Sequence, residues 1–84
     1  MHHDPEELFA AVAAAMGAPA LAPEEMAAVL RLAKVMADAS ERRFAPLSCY
    51  AAGLVIGASG SPGERIARLA EIADQVRAAA APPG

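Results

Sequence analysis

Pro46-Leu47-Ser48-Cys49-Tyr50-Ala51-Ala52-Gly53-Leu54-Val55-Ile56-Gly57-Ala58 contains no charged residue. Its β-branched residues do not alternate with polar ones, as they would in a strand with one wet face, and proline suits the first turn of a helix. A helix that is apolar all round belongs at the centre of a bundle. It cannot cross a membrane, because about 13 residues rise only ~20 Å against a hydrocarbon core of ~30 Å. This stretch therefore points to an all-α fold: a compact four-helix domain whose third helix, about 46–58, is central.

Proline and glycine set off three more helices on either side. Asp4-Pro5-Glu6-Glu7 offers an N-cap, an N1 proline and a carboxylate three residues after the cap. This places a first helix over about 5–16, with Leu8, Phe9, Val12 and Met16 as its buried stripe and Gly17 as its left-handed stop. Pro23-Glu24-Glu25 opens a second over about 23–40, with Ala22 as a poor cap and the two acids placed to meet the helix dipole. Its apolar face is Met26, Val29, Leu30, Ala33, Met36 and Ala37, widened by Leu32 and Val35. Ser40 to Ala45 connects onward, with Ala45 held out of the helical region by Pro46. Ser61-Pro62-Gly63-Glu64 starts a fourth over about 62–79, with Ile66, Leu69, Ala70, Ala73 and Val76 inward, Ile72 at the margin, and Arg65 mainly on the water side. Glu64 and Arg68 form a favourable i,i+4 pair, and 80–84 is expected as a disordered tail.

At 84 residues there is one domain, burying about 60–65% of the surface its unfolded form exposes. Of the 56% hydrophobic residues, 24 are alanine, which favours helix but buries little surface. A net charge of −3 without a basic run lacks the footprint of a nucleic-acid or anionic-membrane binder. The single cysteine rules out an internal disulfide. With no signal-peptide pattern, a cytoplasmic location is expected.

Few residues are candidates for chemistry. Arg42 and Arg43, before the third helix, and Ser48 in its first turn resemble an anion-receiving corner, since helix-start N–H groups and guanidiniums suit phosphate or carboxylate. The alternative is that the arginines pair with Glu41, Asp38 or Glu24 while Ser48 bonds backbone. Cys49, Gly53 and Gly57, at i, i+4 and i+8, make a groove of small residues, for helix crossing inside the bundle or for a homodimer across a two-fold axis. Cys49 has no histidine in the ordered helices to act as its base and no companion ligands, so it reads as a small buried hydrophobe. Met1-His2-His3 has the donors for Cu(II) or Ni(II), but a flexible terminus or expression remnant accounts for it. The Asp-Ser-Leu attachment pattern of an acyl carrier is absent. No catalytic residue, metal site or cofactor is expected, and the chain reads as a non-enzyme.

The run Leu30-Arg31-Leu32-Ala33-Lys34-Val35-Met36-Ala37, then Arg42, Ala45-Pro46-Leu47-Ser48 and Gly53-Leu54 before Gly57, resembles a small bacterial helical domain of unknown function. The resemblance covers nearly the whole chain, departing at Asp38 where that pattern has a histidine. Members of that family occur alone or fused to nucleotidyltransferases of the molybdenum-cofactor guanylyltransferase type. This implies a non-catalytic accessory or protein-interaction role in molybdenum-cofactor metabolism, with a cofactor-synthesis enzyme or a molybdoenzyme as partner. By position it carries Arg42, Pro46, Leu47, Ser48, Gly53 and Gly57 into the family pattern. The alternative is a self-associating structural domain that docks on a larger enzyme through helix faces and binds no ligand.

Overall fold

The computed structural model describes residues 4–57 and 60–80. Among them are four helices and no strand: α1 (Pro5–Ala15), α2 (Pro23–Ala39), α3 (Phe44–Ile56) and α4 (Pro62–Ala80). The all-α reading holds. Proline takes the first position of α1, α2 and α4, where a missing N–H loses nothing. Gly17, with φ +80°, follows the Met16 cap of α1. At α4 half of the capping box forms: Ser61 Oγ accepts from the Glu64 N–H at 3.2 Å, while the Glu64 carboxylate accepts from the Ser61 hydroxyl at 3.3 Å instead of from the Ser61 backbone N–H. The box does not form at α1, where the Asp4 side chain makes no cap bond. Of the expected tail 80–84, Ala80 belongs to α4 instead, continuing its alanine run by one residue, and 81–84 lie outside the described residues, as do Ala58 and Met1-His2-His3.

α3 begins two residues before Pro46. The Phe44 and Ala45 N–H groups donate to the Glu41 and Arg42 carbonyls, both at 3.0 Å, so a tight turn feeds the chain into the helix. Pro46 then falls in the first turn, where it removes no intrahelical bond. Its steric pressure on Ala45 is outweighed.

The helix at the centre is α2, which packs along both α4 and α3, while α3 and α4 meet only briefly. The core is Leu32, fully buried, with Ala52, Leu69 and Ala73; Ala28, Val29, Cys49, Ile56, Ile72 and Val76 close around it. Alanine at 52 and 73 lets the three helices approach closely, which is how so few large residues seal a core. The uncharged α3 is not central. It gives Cys49, Ala52 and Ile56 to the core and leaves Leu47, Tyr50, Leu54 and Val55 57–69% exposed.

Other faces are also displaced from their expected positions. On α2 the deepest residue is Leu32, and Leu30 is 70% exposed. On α4 the inward stripe is Arg65, Leu69 and Ala73, with Ile72 half-buried and Ala70 outside. On α1 only Ala13 is buried, so the expected stripe of Leu8, Phe9, Val12 and Met16 is largely in water. No residue of α1 brings its backbone close to the other helices.

Candidate functional site

Two uncovered apolar faces dominate the surface. The first runs along α3 as Leu47, Tyr50 and Leu54, spaced three and four apart on one side, with Val55 beside them. No charged residue interrupts α3. The second, on α1, is Leu8, Phe9, Val12 and Met16. Its chemistry differs: Asp4, Glu6 and Glu7 stand exposed at its N-terminal end, and no Lys or Arg occurs before Arg31.

Between α1 and the rest lies an open cavity of about 330 Å³. Phe9, Ala13 and Met16 line it from α1, and Gly53 and Gly57 from α3. Gly53 and Gly57 are therefore not crossing points inside the bundle, since a Cβ at either would meet nothing within 4 Å. Gly57 has its own backbone reason. It caps α3 with φ 69° and ψ −174°, a region essentially confined to glycine. Cys49 alone of that trio packs against the core, with Sγ 3.9 Å from the Val29 carbonyl oxygen.

Glu25 and Arg65 also line this cavity, and they form the feature that the sequence pattern hides. They are 3% and 8% exposed. Arg65 Nε donates to Glu25 Oε2, its Nη2 donates to Oε1 at 3.0 Å, and its Nη1 donates to the Gly60 carbonyl at 2.9 Å. The bidentate bond from Arg65 holds the Glu25 carboxyl below its ordinary value of 4.5, against the opposing push of burial. The same bond raises Arg65. Glu25 sits in the first turn of α2, where dipole stabilisation already explains an acid, and Arg65 follows Glu64 in a run of charges. Their separation of 40 residues hides the pair from any local pattern, and only their shared burial in the structure reveals it.

Two of the three residues of the expected anion-receiving corner already have partners within the chain. Ser48 Oγ donates to the Ala45 carbonyl at 2.8 Å. Arg43 Nε donates to Glu41 at 2.7 Å, and its guanidinium lies 4.9 Å from the Phe44 ring centroid. Arg42 is exposed and has no carboxylate partner among the described residues. On α4, Arg68 pairs with Glu71 at 3.1 Å rather than with Glu64, whose carboxylate turns to Ser61.

Among the described residues no three His, Cys, Asp or Glu side chains gather to hold a metal ion, and no helix is long and apolar enough to cross a membrane. No curated protein and no solved structure matches the chain. A family model does match, over residues 2–82, so that nearly the whole chain, uncovered helix faces and buried ion pair included, belongs to the domain of unknown function DUF6457.

Proposed function

We propose that this chain is a non-catalytic accessory module that acts by binding protein, works as a homodimer in the cytoplasm, and serves molybdenum-cofactor metabolism. The observation that carries the reading is the amount of large apolar side chain left uncovered: Leu8, Phe9, Val12 and Met16 on α1, and Leu47, Tyr50, Leu54 and Val55 on α3, all between 46% and 71% exposed. Contiguous apolar surface of this kind marks interaction sites in soluble proteins. The link to molybdenum-cofactor enzymes rests on the sequence resemblance.

The α1 face suits a partner enzyme. Its acidic end favours a groove with a basic rim, and long-range attraction speeds encounter and screens out acidic competitors. A tagged chain drawn from its own host, followed by mass spectrometry of bound proteins and of small molecules released on denaturation, tests the assignment. A cofactor-synthesis enzyme or molybdoenzyme in the eluate supports it; an eluate without either, from cells shown to contain both, overturns it.

A second reading keeps an anion site at Arg42, Arg43 and Ser48, favoured by the exposed guanidinium of Arg42, which has no carboxylate partner among the described residues. An Arg42→Ala/Arg43→Ala chain separates the two readings. Loss of a bound anion with partner capture intact supports the corner, while unchanged binding of both removes it.

A further inference from the structure

The α3 face, unlike the α1 face, is neutral, and we infer that its occupant is α3 of a second copy of this chain. This assignment rests on the interaction-module reading and names the partner of one of its two surfaces.

Charge gives the first argument. A two-fold axis sets each face against itself, so any charge on it meets its own like. From Phe44 to Ile56 there is none. The same operation on α1 would gather Asp4, Glu6 and Glu7 from both chains, which argues for a different partner there.

Shape gives the second. Tyr50 is a 69% exposed ridge, and the small residues beside it, exposed Ala51 on the outer side and Gly53 on the flank toward the α1 cavity, leave room for an opposing side chain. Glycine within a helix costs about 1 kcal/mol relative to alanine, and no close approach inside this chain calls for it. Area gives the third. The four α3 side chains expose on the order of 500 Å² per copy, so pairing two copies can bury at most about 1,000 Å² from them, which reaches the lower bound for a specific interface once flanking residues join the contact.

Sedimentation velocity on the full chain over a dilution series is the first test. The expected result is a reversible monomer–dimer equilibrium. Tyr50→Glu/Leu54→Glu should raise its dissociation constant by about a hundredfold or more with helical circular dichroism unchanged. Leu8→Glu/Val12→Glu should leave it alone. A chain that stays monomeric throughout, or one dissociated by the α1 variant and not by the α3 variant, overturns the inference.

Should the α3 variant lose helicity, cross-linking decides. Ala51→Cys, at the middle of the face, in a Cys49→Ala chain should join rapidly to its own copy through a short bismaleimide. Linkage no faster than at Ala67→Cys on α4 in the same background counts against pairing. A monomer that still captures a molybdenum-cofactor enzyme sinks the pairing and spares the accessory role. A dimer that captures none does the reverse.

Discussion

Glu25 and Arg65 illustrate how a charged pair can be structural. Removing one partner strands the other in a buried site, whereas replacing both by apolar residues of similar volume is often neutral or stabilising. Glu25→Gln should therefore lower the urea midpoint, and Glu25→Leu/Arg65→Met should recover most of the loss. The pH dependence has a definite sign. Because the folded-state carboxyl of Glu25 lies below its ordinary value of 4.5, the pair's contribution is complete above that value and disappears as pH falls through the lowered one. Urea titrations at successive pH values should show an acid loss in the parent chain that is smaller in Glu25→Gln. Leu32 is the apolar counterpart, with no exposed surface. Leu32→Ala should reduce unfolding free energy by about 2–5 kcal/mol, read from chemical denaturation.

Among the helices, starts were more legible than faces. Proline at N1 and the Ser61 to Glu64 box act within a few residues, so local chemistry is enough to locate them. The start of α3 shows the limit of that logic, because the turn bonds from Phe44 and Ala45 overrode the rule against helix before proline. The two α3 glycines should separate by experiment. Gly57→Ala forces a side chain into a glycine-only backbone region and should destabilise by about 1–3 kcal/mol. Gly53→Ala has ordinary helical backbone and open space around it, and should stabilise the isolated protomer by about 0.5–1 kcal/mol. Thermal melts of both at concentrations below dimerisation check the opposite signs. Ser61→Ala should lower stability by about 1 kcal/mol in the same assay.

Taken as a whole, the molecule is a three-helix core with an attached helix. Every residue of the central apolar cluster comes from α2, α3 and α4. A chain beginning at Leu21 should therefore keep a cooperative melt and the helical signal of those three elements. Non-cooperative unfolding of that truncation would show that Ala13 and its neighbours hold more of the fold than their burial suggests. The same arrangement accounts for the misplaced faces. A stripe of apolar residues announces that something will cover it, and at Leu8, Phe9, Val12 and Met16 that cover is not another helix of this chain.

Helix number, the proline starts, the glycine stops and the all-α class follow from interactions spanning three or four residues, and these are readable along the chain. The centrality of α2, the outward turn of α3 and the Glu25–Arg65 bond depend on which helices meet. That choice is a competition for a small amount of apolar surface among elements many residues apart. In an alanine-rich chain one helix face differs little from the next, so the three-dimensional arrangement, not local pattern, selects which face is buried and which is left for a partner.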